Sequence, residues 1–273
     1  MTSPAEHRQT TYRHTLPVRL THWITVLCVI VLLMSGLQIF NAHTALYWGE
    51  RSDPGAAVFQ LHAAQKQDGT LIGLTTIGNT TFTTTGWLGA VKDSSGNLDV
   101  NGFPSWLTIP SYRDLATGRR WHFFFAWLFV LNGIAYLAYA LLSGHLRRDL
   151  APTRPQLRNI PRDVRDHLRL RFPKGEEAKH YNVLQKLAYL AVIFVLLPLA
   201  VLSGLTMSPA LNAAFPFMLD FFGGRQSART IHFICATGIT LFVLVHVVMV
   251  LLSGLWNNLR SMVTGRYDIE PAE

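Results

Sequence analysis

The sequence predicts an all-α integral membrane protein, a bundle of four transmembrane helices with a long insertion between the first and second. Hydrophobic residues make up 49% of the 273 residues and charged residues only 15%, with a mean hydropathy of +0.23. Soluble domains carry about 25% charged residues, so this deficit indicates a membrane protein. Four apolar runs reach the ~20 residues that a spanning helix needs, at roughly 20–40, 121–143, 186–207 and 230–256.

The basic residues predict the orientation of the bundle. Of 24 Lys and Arg, three precede the first run, eleven lie between residues 145 and 186, and two follow Trp256, all on one side of a four-span topology. Because loops rich in Lys and Arg stay in the cytoplasm, both termini and the 144–185 loop are expected there, in a bacterial inner membrane. The basic residues that give the net charge of +8 are therefore expected to set the orientation of the protein and to contact lipid headgroups. Nucleic-acid binding is not expected.

The 41–120 insertion is expected on the opposite, periplasmic side. Its threonine run from Thr75 to Thr85 predicts one or two short strands or a hairpin. Eighty residues are too many for a simple connection, and the tryptophans and tyrosines of the insertion suit a docking surface for another subunit. A self-contained cap is the alternative to docking. The whole chain, 1–273, is interpreted as one membrane domain.

Two histidines, His232 and His246, lie within the fourth apolar run. Fourteen positions at ~100° each bring the second ring to within ~40° of the first, and a rise of ~1.5 Å per residue separates them by ~21 Å. They are therefore expected on one face, one near each membrane surface. Ionisable residues at such depth are costly and usually functional, and imidazole readily binds metals. Two stacked haems are one interpretation; histidines hydrogen-bonded to neighbouring helices are the other.

Histidines at matching depths occur in two other spans. His22 lies about one turn inside the first span, level with His246, and His122 opens the second span, level with His232. A six-coordinate b haem takes two axial imidazoles from different helices. The sequence therefore predicts two bis-histidine haem b groups, a cytoplasmic one on His22 and His246 and a periplasmic one on His122 and His232. Such iron suits electron transfer, because it has no open position for oxygen chemistry.

Four features of the sequence resemble one known family: the membrane cytochrome b subunits of nickel–iron hydrogenases, the formate dehydrogenase gamma subunits and bacterial cytochrome b561. The features are PVRLTHW around His22, RRWHFFFAW around His122, the His232/His246 spacing and KHYNVLQKLAYL at 179–190. The resemblance covers the four spans, about two-thirds of the chain. It implies an electron-transfer subunit of a respiratory oxidoreductase complex rather than the primary catalytic subunit.

The resemblance also implies a quinone and a partner. The 179–190 segment is similar to the Asn-x-x-Gln-Lys entry of the third helix in formate dehydrogenase gamma subunits, where the asparagine neighbours a quinone. Asn182 is then expected to contact ubiquinone or menaquinone, with Gln185 and Lys186 beside it. The expected partner is a periplasmic molybdopterin oxidoreductase, because the long insertion suggests an unusual docking surface. A hydrogenase or formate dehydrogenase type is the alternative.

Two other functions stay open at this point. The protein could act alone, as cytochrome b561 does, exchanging electrons between quinone and a small periplasmic oxidant such as superoxide. It could also be a haem-free, proton-coupled transporter whose histidines relay protons. Transporter folds usually show repeats and broken helices, and here only Pro198 indicates a break, as a predicted kink in the third span.

Small residues recur once in each span, as Ser-Gly pairs. Small side chains let helices approach closely, or leave room for a flat macrocycle beside the backbone. Close packing is the simpler interpretation. The four pairs are Ser35-Gly36, Ser143-Gly144, Ser203-Gly204 and Ser253-Gly254.

Overall fold

The computed structural model describes residues 9–93, 95–169 and 182–269. Four helices in these ranges are long and apolar enough to cross a membrane, as predicted. Each begins a few residues before the limit predicted from hydropathy, because polar residues at the helix entrance continue the same turn. The first two are α1 (Leu16–Phe40) and α2 (Leu115–Leu142), the third runs over Val183–Thr206, and the fourth covers Arg225–Leu252.

Short helices connect these spans. Two follow α2, in the loop that was predicted to be cytoplasmic, and two precede the fourth span. Residues 179–181 of the motif that resembles formate dehydrogenase lie outside the described residues. The connecting helices are α3 (Arg154–Arg158), α4 (Ile160–Leu168), α7 (Pro209–Ala214) and α8 (Phe217–Phe222).

The third span changes helix type in its middle. It consists of α5 (Val183–Ala191), a π-helical segment (Val192–Leu196) and α6 (Leu197–Thr206). Pro198 lies just after the π-helical segment, and proline has no N–H to donate to the carbonyl four residues earlier. The hydrogen-bonding pattern of the third span therefore changes next to Pro198, and the predicted kink itself stays a prediction.

The fourth span, α9 (Arg225–Leu252), ends before the predicted limit at residue 256, and α10 (Leu255–Thr264) begins almost at once. Gly254 has φ = 102°, a conformation that glycine adopts without steric cost. The prediction of one helix to residue 256 is wrong, because a glycine in this conformation separates the two helices. Gly144, with φ = 72°, follows the end of α2 in the same way.

The described chain forms two compact units. The first contains the described residues up to Thr25 together with 131–197 and 238–269, and the second contains 26–130 and 198–237. All four long helices start in one unit and finish in the other, as α1 does after residue 25. The single domain predicted for 1–273 stays a prediction.

In the first unit, the segments before α1 and after α10 are joined. β1 (Gln9–Tyr12) pairs antiparallel with β8 (Arg266–Ile269). Gly265, with φ = 83°, makes the turn into β8, and a Cβ there would lie 2.4 Å from a ring carbon of Tyr12. The Trp23 indole also donates to the carbonyl of Met262 at 3.0 Å. These contacts fix the first two turns of α1, the second of which carries His22.

In the second unit, the described part of the insertion contains six short β-strands. Thr75 belongs to strand β4 (Leu71–Ile77) and lies opposite Leu61 in strand β3 (Phe59–Gln65) and opposite Phe82 in strand β5 (Thr80–Thr83). The predicted hairpin over the threonine run is present as β4 and β5, but it belongs to a larger sheet, so "all-α" describes only the helical part of the chain. The sheet order is β2 (Ala45–Leu46), β3 (Phe59–Gln65), β4 (Leu71–Ile77) and β5 (Thr80–Thr83), and β6 (Ala90–Lys92) pairs separately with β7 (Leu98–Val100).

The insertion packs on the helices of its own unit through a small apolar core. Phe40 at the end of α1, Leu46 and Leu61 are 6%, 2% and 1% exposed, and Phe233 of α9 packs against them. Polar contacts reinforce this junction. The Arg229 guanidinium donates to the carbonyls of His43 and Ala45, so the start of the insertion is held one turn from His232.

Candidate functional site

His122 of α2 and His232 of α9 lie together in the second unit. Their ring centroids are 6.2 Å apart and their planes are inclined by 66°. Both rings are only partly buried, although they belong to spanning helices. The two imidazoles thus come from different helices. With ring centroids this far apart, even nitrogens directed at each other would be too distant for a hydrogen bond.

The His122 ring rests on a Ser-Gly pair of α1. Its Nδ1 lies 3.1 Å from the Ser35 hydroxyl, and the backbone of Leu32 lies close enough to interact with the ring. Gly36 lies beside the ring, since a Cβ built there would be 3.4 Å from Cε1 of His122. Ser35 is 0% exposed, so the hydroxyl that faces this histidine is sealed from solvent.

His232 rests in the same way on the Ser-Gly pair of α6. Its Nδ1 lies 2.8 Å from the carbonyl oxygen of Ala200 and 3.4 Å from the Ser203 hydroxyl. A Cβ on Gly204 would lie 3.1 Å from Cε1 of His232. Ser203 is also 0% exposed. These two Ser-Gly pairs therefore contact imidazoles, whereas the pairs at 143–144 and 253–254 lie at helix ends.

The second histidine pair, His22 of α1 and His246 of α9, lies in the first unit. Its ring centroids are 6.5 Å apart with planes inclined by 57°. Phe242, one turn before His246, stacks on the His246 ring at 6.0 Å. Nδ1 of His22 is buried and has no hydrogen-bond partner among the described residues. This pair thus has the same spacing as the first but a different polar environment.

α1 and α2 are fixed to each other close to His22 by one buried amide. Asn132 is 7% exposed, and its Nδ2 donates to the Thr21 carbonyl at 3.0 Å and to the Thr25 hydroxyl at 2.9 Å. A buried amide stays favourable only when it is hydrogen-bonded. Asn132 therefore orients the turn of α1 that presents His22, a role that its position in the second apolar run did not reveal.

Both histidine spacings fit a shared metal. A metal–imidazole bond is about 2 Å long and the ring centre lies roughly 1 Å behind the nitrogen, so rings on opposite sides of one metal have centres about 6 Å apart. The observed 6.2 and 6.5 Å agree with this value. Each pair supplies two ligands, and a haem iron brings four nitrogen ligands of its own. The residues present therefore suit a bis-histidine haem in each unit.

The residues expected at the quinone site have clear local roles. Asn182 is the N-cap of α5: its side chain accepts from the Leu184 amide at 2.9 Å, and the Gln185 side chain accepts from the Asn182 amide at 3.2 Å. This reciprocal arrangement is a capping box. Lys186 is 5% exposed, and its Nζ donates to the carbonyl of Ala151 and to Gln156 at 3.3 Å each. The capping box explains the Asn-x-x-Gln spacing without a ligand.

A further polar cluster of the first unit was not identified from the sequence. The Thr15 hydroxyl lies 2.8 Å from the Tyr139 hydroxyl, and the Tyr139 ring lies 6.3 Å from that of His145. Burial, and then the neighbouring Arg13, lower the pKa of His14 from 6.5 to about 4. These residues come from segments far apart in sequence, so no local motif could have predicted the cluster.

The two cysteines lie apart from these contacts. Cys28 and Cys235 are free and buried. Cys28 packs with Val31 and Phe125, as a small apolar side chain would.

Comparison with known proteins identifies the family. The profile of the family described as "Prokaryotic cytochrome b561" matches residues 13–265. A protein of Azospira oryzae, which carries the provisional name protein-methionine-sulfoxide reductase subunit YedZ1, is 29% identical over 235 residues, or 86% of this chain and 88% of the relative. No solved structure matches the chain. The chain therefore belongs to the prokaryotic cytochrome b561 family of multi-pass membrane proteins, which bind haem b and transfer electrons.

Proposed function

We propose that this protein is a di-haem cytochrome b that exchanges electrons between a periplasmic redox partner protein and the quinone pool of the bacterial inner membrane. One observation carries the proposal. Two histidine pairs, each drawn from two helices, have ring centroids 6.2 and 6.5 Å apart. A single helix, α9, contributes one ring to each pair. Membership of a cytochrome b family supports haem as the group that each pair binds.

In this proposal His122 and His232 hold one haem b and His22 and His246 hold the other. A six-coordinate haem supplies one-electron redox chemistry when bound. The protein contributes the axial ligands, their orientation and their apolar surroundings. Because two imidazoles would fill the coordination positions that the four ring nitrogens of each haem leave open, the site would be suited to electron transfer and not to binding oxygen.

The quinone is proposed to bind near the His22 and His246 pair, at the start of the third span. Asn182, Gln185 and Lys186 are the proposed contacts, on the strength of the family resemblance. Although the capping box uses the side-chain oxygens of Asn182 and Gln185, the amide nitrogens of both side chains can still donate to a quinone carbonyl.

The periplasmic partner is proposed from the insertion and from the relative. Exposed aromatic side chains on the insertion include Trp87 and Trp106, which are 73% and 67% exposed, and aromatic residues are enriched in protein interfaces. The name of the Azospira oryzae relative makes it a subunit of a reductase that acts on oxidised methionine in proteins. We therefore propose a periplasmic reductase, of the molybdopterin type expected from the sequence, as the partner.

Orientation in the membrane is proposed from the basic residues. The segment before the first span, the 144–185 loop and the C-terminal segment carry the excess of Lys and Arg, which favours a cytoplasmic location. With that orientation His22 and His246 lie toward the cytoplasm and His122 and His232 toward the periplasm. Reporter fusions at residue 95 and at the C-terminus test this directly, since only the first should be periplasmic.

The experiment that tests the function is anaerobic mixing of the oxidised, purified protein with ubiquinol or menaquinol. We expect the α absorption band of reduced b haem to appear after mixing with at least one of the two quinols. A protein that carries both haems but is reduced by dithionite alone, and by neither quinol, would contradict the quinone-linked function. The haem assignment would survive that result, because haem binding is measured separately.

A further inference from the structure

The environments of His122 and His232 repeat one another residue by residue. On α1, Leu32, Ser35 and Gly36 contact His122; on α6, Ala200, Ser203 and Gly204 contact His232. In both helices the backbone contact lies three residues before the serine and the glycine directly follows it. Two independent helices thus present the same three-point surface, here called the Ser-Gly cradle, to one imidazole each.

The hydrogen bonds within each cradle determine which ring nitrogen carries the proton. The Ser35 hydroxyl donates to the carbonyl of Val31 at 2.6 Å, and the Ser203 hydroxyl donates to that of Leu199 at 2.5 Å. A hydroxyl has one hydrogen, so toward the histidine each serine can only accept. A backbone carbonyl also can only accept.

It follows that Nδ1 of both histidines carries the hydrogen and donates it into the cradle. In a neutral imidazole the other nitrogen, Nε2, then keeps its lone pair free. Nε2 is therefore the atom that each of these rings can offer to a metal. Metal-binding histidines generally fix their tautomer by such a bond from the second nitrogen.

The glycines determine how closely each ring can approach its cradle. A Cβ at position 204 would lie 3.1 Å from Cε1 and 3.3 Å from Nδ1 of His232. At position 36 the corresponding distances to His122 are 3.4 and 3.6 Å. Any side chain at 204 would push the ring away, and one at 36 would press on it less strongly. Gly133, in the middle of α2, has no atom within 4 Å of its built Cβ and has no such role.

We propose that the two Ser-Gly cradles are positioning devices that set the tautomer, the orientation and the electron-donating strength of His122 and His232. This inference rests on the proposed function, in which these histidines bind haem iron. An imidazole that donates a hydrogen bond from Nδ1 is a stronger electron donor through Nε2. Stronger donation favours the oxidised iron and lowers the reduction potential, since second-shell hydrogen bonding is one means by which proteins tune haem.

The other histidine pair lacks this device among the described residues. Nδ1 of His22 is buried without a hydrogen-bond partner, and Gly144 and Gly254 have φ of 72° and 102° at helix ends. Changes to the cradle serines should therefore alter only one of the two haems. That selectivity distinguishes a positioning role from a general effect on helix packing, because a general effect would change the redox signals of both haems.

The test is an equilibrium redox titration of the purified di-haem protein carrying Ser35→Ala or Ser203→Ala, with Ser143→Ala as the matched control. For each cradle variant we expect an unchanged haem content and a shift of one haem signal to a more positive potential. The control should reproduce the wild-type titration. If neither cradle variant moves either potential, the inference is wrong, even where His122→Ala still loses a haem and so supports the proposed function.

Glycine variants provide a second readout that does not depend on the potential. We expect Gly204→Ala to change the low-spin electron paramagnetic resonance signal of one haem, or to remove that haem, and Gly36→Ala to do so more weakly. Gly133→Ala should leave both signals unchanged. Wild-type signals in both cradle variants would contradict the close approach on which the inference depends. Retention of both haems after His122→Ala and after His232→Ala would instead contradict the ligand assignment.

Discussion

Nδ1 of His232 lies 2.8 Å from the carbonyl oxygen of Ala200, a residue of a different helix. This bond points the rest of the imidazole away from α6 and toward His122. The same helix that carries His232 also carries His246, whose ring lies 6.5 Å from that of His22. α9 thus carries one histidine of each pair. Its contact with α6 determines how His232 is oriented.

Substitution of Asn182 separates a capping role from a quinone contact. Asp keeps a side-chain oxygen that can accept the hydrogen bond of an N-cap, but it lacks the amide N–H donor of Asn. We expect Asn182→Asp to keep the wild-type stability and to slow quinol oxidation by roughly fivefold, since one hydrogen bond contributes about 1 kcal/mol. Asn182→Ala should lose that contact and also about 1 kcal/mol of helix stability. Stopped-flow reduction by quinol and thermal unfolding measure the two effects.

Equal quinol oxidation by the wild type and Asn182→Asp would show that the Asn182 amide does not contact the quinone. The capping box would then be the whole reason for asparagine at this position. A parallel measurement on Gln185→Glu, which keeps the acceptor of the reciprocal bond and removes the donor, applies the same logic to the second residue of the motif.

The stability of the protein should fall on mild acidification because of His14. Burial, followed by the charge of Arg13, lowers its pKa from 6.5 to about 4 in the folded protein. Between these values the unfolded chain binds more protons than the folded one, so stability rises with pH over that window and is lost as the pH falls. We expect the unfolding temperature of the detergent-solubilised protein to decline from pH 7 to pH 5, and His14→Gln to flatten that decline.

An unfolding temperature that falls equally steeply in the wild type and in His14→Gln would assign the acid sensitivity to other groups. Measurements at pH 8 serve as the reference, since the imidazole is neutral there in both states. The comparison depends on the slope with pH, so a constant offset between the two proteins does not affect it.

The fold of the insertion depends on Gly89. This residue has φ = 78°, and a Cβ there would lie 2.3 Å from the carbonyl oxygen of His62 and 3.0 Å from the amide of Leu74. We expect Gly89→Ala to loosen the sheet and expose the insertion to protease added to spheroplasts. Gly78→Ala is the matched control, because Gly78 has φ = 55° with no atom near its built Cβ and should cost only about 1–2 kcal/mol of backbone strain.

Haem content should not change in either variant, because the histidine pairs belong to the helices. Equal protease resistance of Gly89→Ala and the wild type would contradict the close contact between the loop before β6 and strand β3. Cleavage of the insertion only in inverted vesicles would instead contradict its proposed periplasmic location.

The helical part of the fold could be predicted because its signal is local. Long apolar runs predicted four spans, and the threonine run predicted the β4–β5 hairpin. Pro198 predicted a kink in the third span, where the structure has a π-helical segment. The four-stranded sheet was not predicted, since strand β3 (Phe59–Gln65) pairs with residues of β4 in a region without strong alternation. The end of α9 was missed because Gly254 breaks the helix inside an apolar run.

The histidines were paired by depth alone, using positions along ideal helices. Their supporting contacts could not be obtained in that way. Ser35 and Ser203 were recognised only as small residues, because the contact of each with an imidazole depends on which helices are neighbours. The capping role of Asn182 was also missed, because the Asn-x-x-Gln spacing of a capping box and that of the family motif are identical in sequence; the quinone contact of Asn182 stays a prediction.

The central claim is that His232 and His246 each hold one of two haems. The most direct test is the haem-to-protein ratio of the purified chain, measured as the pyridine haemochrome, in the wild type, in His232→Ala, in His246→Ala and in the double variant. The account predicts about two, one, one and no haems per chain, with His43→Ala unchanged from the wild type. A wild-type chain that is colourless after expression with ample haem, or a double variant that still binds haem, would contradict it.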